Sequence, residues 1–233
     1  MAMEWAGPVE LIRAAPLELL TDPAWLEYRL LPALGLNDRH MDQYPRHLHR
    51  HCGVGLRSWQ YPCQFAKYLA YLGERGVSSY VEVGGHKGGT FIVTVEYLRR
   101  LGFQGRALTV DPWARQELRQ YVDQSPGCEY VVARSDDPEF LRVFEGAEWD
   151  LVLLDGDHDY RAVRGDFERA RTRARTVALH DIVNHLTPGV AQVWREIEEQ
   201  LPQRPRHRFT DQYDDVLLRM RGALMGIGVV ELR

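Results

Sequence analysis

Two short stretches hold the residues best suited to chemistry, LLDGDHDY (153–160) and LHDI (179–182). Each follows an apolar run, so Asp155 and the pair His180–Asp181 fall at the ends of two strands. If those strands are parallel neighbours, roughly 4.8 Å apart, the side chains converge at the carboxyl edge, where open α/β sheets bind ligands. Two carboxylates meeting there repel unless a cation joins them. A divalent ion, Mg²⁺ or Mn²⁺, held by Asp155 and Asp181 meets that need, and the imidazole of His180 as a further ligand favours Mn²⁺ or Fe²⁺. His158, three residues after Asp155, has an ordinary pKa of about 6.5 and can accept a proton at neutral pH. Asp157 competes with it for that role. The same residues read equally as caps of strand–helix junctions, with His158 a helix-start residue whose ring is satisfied locally.

A third stretch, YVEVGGHKGGTF (80–91), runs a β-forming segment into Gly84, Gly85, Gly88 and Gly89 around His86 and Lys87. Thr90 then begins a helical pattern. A glycine turn between strand and helix brings bare backbone N–H groups close to a nucleotide-like ligand. A dinucleotide fingerprint needs glycine at the first, third and sixth positions, but counting from Gly84 the third is His86, which argues against NAD. The other features are an acidic residue in the strand, Glu82, and Asp111 at the end of the next apolar run in LTVDPW. A carboxylate there can accept both ribose hydroxyls of an adenosine, and the shorter turn suits a ligand without pyrophosphate, namely S-adenosylmethionine. The plainer alternative is that the glycines permit tight strand–helix packing and Asp111 caps a helix.

EVGGHKGGT, TVDPW, LLDGDHDYRAVRGDFE and LHDI, in that order and spacing, resemble class I S-adenosylmethionine-dependent methyltransferases. The likeness is strongest to the small O-methyltransferases of the catechol and caffeoyl-CoA type and to antibiotic-tailoring enzymes near them. It covers residues 58–233, with QYPCQFAKYL (60–69) similar to the helix before the family's first strand. Residues 1–55 match no pattern of the family. The resemblance implies that Glu82 and the turn of Gly84, Gly85, His86 and Gly88, followed by Thr90, lie by the methionine moiety. It puts Asp111 on the ribose, Ser135 near the adenine and Asp155 at the cofactor's edge. It also implies a divalent metal, with His158 where catechol-type enzymes carry a lysine base and Asp157 where some sugar-modifying relatives use a carboxylate. Two departures stand out: His180–Asp181 replaces two adjacent oxygen ligands, and RTRART replaces a Pro-Gly-Gly turn. The expected function is metal-dependent methyl transfer to a hydroxyl of a small natural product or sugar. An oxidative, cephalosporin-hydroxylase-like enzyme holding Fe²⁺ and a non-catalytic binding module are the rivals. Trp59, Tyr61 and Trp113 are aromatic candidates for an acceptor or adenine pocket, or else core.

The elements that must position these residues follow from periodicity. YVEV (80–83), ALTV (107–110), YVVA (130–133), LVLL (151–154) and TVAL (176–179) are apolar on both faces, which suits buried parallel strands. Tyr160, Val163, Phe167, Ala170 and Ala174 make one helical stripe, and Val190, Val193, Trp194, Ile197 and Leu201 a second, begun by Thr187–Pro188. HRFTDQY (207–213) and GIGVVEL (226–232) predict an antiparallel pair at the sheet edge with no room for a crossover helix between them. The predicted fold is a doubly wound, Rossmann-like seven-stranded α/β sheet of order 3-2-1-4-5-7-6. Residues 1–57 form a helical N-terminal cap and 58–233 the S-adenosylmethionine-binding domain.

With 233 residues, 45% hydrophobic and 27% charged, the chain can bury one sizeable core. A net charge of -4 gives no basic field for a nucleic-acid partner. The basic stretches are RHLHRH (46–51), a solvated loop after Pro45 or a strand aligning His47, His49 and His51 as ligands, and RARTRAR (169–175), the solvated end of a helix. Cys52, Cys63 and Cys128 form no CxxC pair and read as reduced thiols. No apolar run reaches the roughly 18 residues of a membrane span, and the N-terminus lacks a signal-peptide pattern. A cytoplasmic protein acting on a small-molecule hydroxyl acceptor, with homo-oligomerisation left open, is the expectation.

Overall fold

Strands form where both alternating faces are apolar, and each face is then covered by helices. The computed structural model describes residues 5–233. The first four residues of the expected cap, and with them the start on which the signal-peptide reading rests, lie outside the described residues. The order is α1 (Ala6–Ala14), α2 (Leu17–Leu20), α3 (Pro23–Trp25), a π-turn (Leu26–Leu30), α4 (Leu31–Leu34), 3₁₀ turns at Met41–Gln43 and Arg46–His51, α5 (Pro62–Gly73), β1 (Ser79–Val83), α6 (Gly89–Arg100), β2 (Arg106–Asp111), α7 (Gln116–Asp123), β3 (Cys128–Val132), α8 (Pro138–Glu145), β4 (Trp149–Leu154), α9 (Tyr160–Arg173), β5 (Ala174–His180), α10 (Pro188–Gln200), β6 (Arg206–Phe209), α11 (Asp214–Met220) and β7 (Ile227–Glu231).

The seven strands lie in the order β3-β2-β1-β4-β5-β7-β6, as predicted, with β1 to β5 parallel and β7 antiparallel to both β5 and β6. Tyr80, Leu151, Leu153, Ala178 and Val229 face a core with Val9, Phe65, Leu69, Phe91 and Tyr121. Val81, Val83, Val152, Leu154, Val177 and Leu179 face the opposite core, with Phe140, Val163, Phe167, Val193 and Trp194. The register pairs Val83 with both Val110 and Leu154, so β1, β2 and β4 end level and deliver Asp111 and Asp155 to one edge.

Three sequence expectations need correction. The first strand of the final pair stops at Phe209 instead of reaching residue 213, and a short helix, α11, follows it without crossing over, so β6 and β7 pair antiparallel as expected. Ala174 opens β5 instead of completing the α9 stripe. The 46–51 stretch is a 3₁₀ turn with Leu48 buried, neither strand nor open loop, because a residue every third position faces the interior. Among the described residues no helix is long and apolar enough to cross a membrane.

The cap segment is fastened to the domain along its length, Tyr97 donating to the Leu20 carbonyl and Arg219 to that of Asp42. Arg13 of α1 reaches Glu96 of α6 through Nε at 2.9 Å. Leu36 bridges Cys52 and Ser58, and Leu36, Tyr44, Leu48 and Tyr61 join Val216, Leu224 and Met225 in a third core at the carboxyl edge. The chain before α5 is thereby divided: residues 5–34 pack on the sheet-face core with α6, and from Leu36 onward it folds over the sheet end where Asp111 and Asp155 emerge.

Candidate active site

The glycine turn is shaped by close approach. Gly84 has φ +95°, and a Cβ there would come within 2.0 Å of the Asp155 carbonyl oxygen, so only glycine lets β1 leave the sheet against β4. Gly89 is confined from the other side, where a Cβ would lie 2.5 Å from the Leu56 carbonyl oxygen of the cap segment. Gly84 and Gly85 both donate to the Val110 carbonyl, at 2.9 and 3.1 Å, which ties the turn to β2.

That tie aims Asp111. Its Oδ2 accepts from the His86 backbone N–H at 2.7 Å and its Oδ1 from that of Trp113 at 2.9 Å. Both oxygens are fixed in direction, yet each retains acceptor capacity for a ligand hydroxyl. His86 holds φ +43°, an uncommon backbone for a non-glycine residue. Burial, followed by Arg115 and Lys87, lowers its ring pKa.

Behind the turn lies a cavity of about 690 Å³. It is lined by Glu82, Gly84, Gly85, His86, Thr90, Asp111, Trp113, Ser135, Asp155, Asp157, His158, His180 and Asp181, so nearly every residue singled out in the sequence meets there. Gly88 does not line it and packs on Leu118 of α7. Trp113 stands at the mouth, 66% exposed. Glu82 lies on the floor, where burial pushes its carboxyl well above the usual range even though Tyr80 donates to it. Of the other aromatic candidates, Trp59 lines the wall between the rings of His40 and His86, whereas Tyr61 is core, fully buried and donating to the Gln43 carbonyl.

The strand-end carboxylates converge as expected, and imidazole rings lie between them. His180 Nδ1 is 2.9 Å from Asp155 Oδ1 and 3.6 Å from Asp181 Oδ1. His158 turns Nδ1 towards Asp181 Oδ2 at 3.4 Å, and its Nε2 is 3.6 Å from Asp155 Oδ1, beyond hydrogen-bond distance. Burial alone would raise Asp155, but His180 and His158 bring it down to about 2. Burial opposes the charge on His180, and Asp155 and Asp181 overcome it to raise the ring to about 9. His158 is also raised, because Asp155 and Asp181 outweigh its burial. Asp181 sits at φ +68°, with its own carbonyl accepting from Asn184 N–H in a tight turn. Asp157 is exposed and accepts from the Asp159 N–H at 3.0 Å, closing the turn into α9.

A metal ion needs donors that face a common empty point. Here Asp155 Oδ2 accepts from Gln60 at 3.1 Å, Asp181 Oδ1 from Asn184 at 3.0 Å and Asp181 Oδ2 from Thr187 at 3.3 Å. Among the described residues no group of three or more His, Cys, Asp or Glu is placed to hold an ion. This donor set does not fit a divalent cation as arranged.

Of the wall opposite the glycine turn, sequence reasoning found only Trp59 and missed His40, Asp42, Gln43 and Arg57, together with Leu186, Met220 and Met225. No periodic signal could have found these, since all of them but Met220 lie outside regular helices and strands. Gln60, reaching Asp155 across 95 positions, was equally silent.

Residues 81–182 match the family model described as a methyltransferase domain. Among solved structures, cofactor-bound Rv0187 from MTB superposes with a TM-score of 0.54 at 17% identity, over 73% of this chain and 80% of that one. The O-methyltransferase TomG from Streptomyces achromogenes, solved with S-adenosylmethionine, gives 0.53 at 15% identity over all of both chains. A candidate O-methyltransferase from Klebsiella pneumoniae gives 0.52 at 16% identity over 98% and 96%. No match was found among curated proteins. At these identities the structural likeness speaks for the fold.

Proposed function

We propose that this chain, which carries a methyltransferase domain over residues 81–182 on the class I methyltransferase fold, transfers a methyl group from S-adenosylmethionine to a hydroxyl of a small molecule. The observation that supports the cofactor best is the charge around an aimed Asp111. Asp111, Asp155, Asp157 and Asp181 line the cavity, and of its arginines Arg134 pairs with Asp136 and Arg169 with Asp166. Such a lining repels a pyrophosphate and favours a ligand bearing a sulfonium and an ammonium. The two backbone donors hold Asp111 ready for ribose hydroxyls, and Ser135 and Trp113 line the side left for a base.

When bound, S-adenosylmethionine supplies an electrophilic methyl; its transfer to oxygen breaks the S–C bond and leaves a neutral thioether. The chain's task is to place the acceptor and remove its proton. His158 is the base in this reading. Its Nδ1–H is directed at Asp181, and Nε2, which has no hydrogen-bond partner, takes the proton. Asp157 is spent on the turn into α9 and faces solvent. The acceptor lies against the wall of His40, Asp42, Gln43 and Trp59, which makes the cap segment the source of selectivity. No step is routed through a metal, because the side chains that would hold one are paired with each other.

Calorimetry with S-adenosylmethionine and with NAD tests the cofactor, and release of S-adenosylhomocysteine across a panel of hydroxylated small molecules tests the transfer. Micromolar binding of S-adenosylmethionine and none of NAD is expected. Tight NAD binding would overturn the reading. Cofactor binding without turnover on any acceptor would favour the non-catalytic module.

A further inference from the structure

We infer that the His180 ring takes the place of a divalent cation at the strand ends, so that Asp155 and Asp181 close around an imidazole and the site excludes the ion that the motif around it would otherwise recruit. The inference rests on the methyl-transfer reading for what the cavity is for, and on geometry for everything else. The ring lies on the seam between the two carboxylates, 2.9 Å from one and 3.6 Å from the other. The outward oxygens are not free to turn: Gln60 holds Asp155 Oδ2, while Asn184 and Thr187 hold Asp181. Every carboxylate oxygen of the pair therefore has a protein group at or near hydrogen-bond distance.

Packing keeps the ring there. His180 is 4% exposed and pairs with Ile227 of β7 in the antiparallel register. The next residue, Asp181, turns back on itself at φ +68°, pinned by the Ile182 N–H to the Gly226 carbonyl at 3.2 Å. Swinging the ring out would leave two carboxylates facing each other in a largely buried space. A hard ion such as Mg²⁺ wants six oxygens at roughly 2.1 Å, mostly water, around an open centre. The centre here is occupied by carbon and nitrogen. The sequence signature is the pair His180–Asp181 where two oxygen donors would leave the centre open.

The test is an Mn²⁺ titration of the whole, chelator-treated protein, following the signal of free Mn²⁺ by electron paramagnetic resonance, with S-adenosylmethionine calorimetry and thermal melts alongside. The wild-type protein should leave the Mn²⁺ signal unattenuated up to millimolar ion. His180→Asp removes the ring and completes an all-oxygen set, and should bind Mn²⁺ about 10- to 100-fold more tightly than the wild type. Wild-type binding of one Mn²⁺ per chain that is lost in Asp181→Asn would overturn the inference. So would a His180→Asp protein that melts cooperatively and binds S-adenosylmethionine yet gains no affinity for Mn²⁺. If His180→Asp does not fold, His180→Asn, which keeps a neutral donor towards Asp155, decides: its melting temperature should rise with Mn²⁺ while the wild type's does not, and an unmoved temperature counts against the idea. Absence of S-adenosylmethionine binding in the wild type would remove the functional reading, and the Mn²⁺ result would still stand by itself.

Discussion

Two little-exposed carboxylates of this protein, Glu96 and Asp155, are treated in opposite ways. Glu96, on α6, is closed in by strong donors: Arg13 Nε at 2.9 Å, Arg99 Nη1 at 2.9 Å and the Tyr121 hydroxyl at 2.8 Å. Asp155, at the end of β4, keeps company with two imidazoles and an amide, and around it buried polar atoms are left over, namely His158 Nε2, His180 Nε2 and Gln60 Oε1. The backbone differs in the same sense. Glu96 lies mid-helix, whereas Asp181 beside Asp155 holds a left-handed conformation that costs a non-glycine residue free energy. A saturated network serves folding, and an unsaturated one facing a cavity is waiting for a ligand. Substitutions in the two should therefore separate cleanly, one set read in activity and the other in stability.

The largest effect is expected at the unsaturated site. His158→Ala removes the group assigned to take the proton, and turnover should fall by about 10²- to 10⁴-fold. Affinity for S-adenosylmethionine should stay within about twofold, since the ring faces the two aspartates and not the glycine turn; a factor of two is about 0.4 kcal/mol. Single-turnover rates and calorimetry read the two quantities apart. Full activity in His158→Ala with none in Asp157→Ala would move the base one residue upstream and erase the contrast.

Next comes Asp111. Each hydrogen bond from a charged acceptor contributes roughly 1.5–3 kcal/mol, so Asp111→Ala should weaken S-adenosylmethionine binding by at least about 10²-fold. The His86 and Trp113 N–H groups lose their shared acceptor at the same time, so Asp111→Asn, which keeps one carbonyl oxygen, should bind better than the alanine variant. Equal binding by wild type and Asp111→Ala would show that the aimed carboxylate is a helix cap and nothing more.

This half of the site was legible because its physics is local. A run such as LVLL that is apolar on both faces has to be a buried strand, and whatever follows it lies at the sheet edge, so Asp155, Asp111 and Asp181 could be placed before any coordinates. Their chemistry was less legible than their position. Two carboxylates called for a cation, and the sequence could not say that the neighbouring imidazole of His180 would fill the gap, because that depends on the β5–β7 register and on Gln60, Asn184 and Thr187. Of the opposite wall only Trp59 was legible, and that from its residue type alone. His40, Asp42 and Trp59 lie on turns without a period, and what brings them to the cavity is the bridging of Leu36 to Cys52 and Ser58. The Arg13–Glu96 pair was hidden for a similar reason, spanning 83 positions.

Glu96→Gln is the counterpart on the saturated side. Breaking a fully buried ion pair costs about 3–5 kcal/mol, but Arg13 is 47% exposed on its side chain and screened, so about 2 kcal/mol is expected, or a melting temperature lower by roughly 4–8 °C. S-adenosylmethionine affinity should be unchanged, because none of Arg13, Glu96, Arg99 and Tyr121 lines the cavity. A variant of normal stability with lost binding would mean that α1 and α6 report to the site and that the two networks are one.

The smallest effect, and the sharpest in sign, is the pH dependence of that difference. Burial would raise the Glu96 carboxyl, but Arg13, Tyr121 and Arg99 outweigh it, and the folded-state pKa lies below the ordinary value. A carboxyl whose pKa is depressed on folding stabilises the protein fully above its unfolded pKa, about 4.3 for glutamate, and loses that contribution as the pH falls through the folded value. Glutamine does not titrate. The stability gap between the wild-type protein and Glu96→Gln should therefore be widest above about pH 5 and should narrow as the pH drops below about 4.3. Denaturant melts of both proteins at matched pH read this directly, with the other carboxylates cancelling in the difference. A gap that stays constant into that acidic range would mean that Glu96 is held protonated in the folded state, so that its arginines contribute packing and no charge pairing.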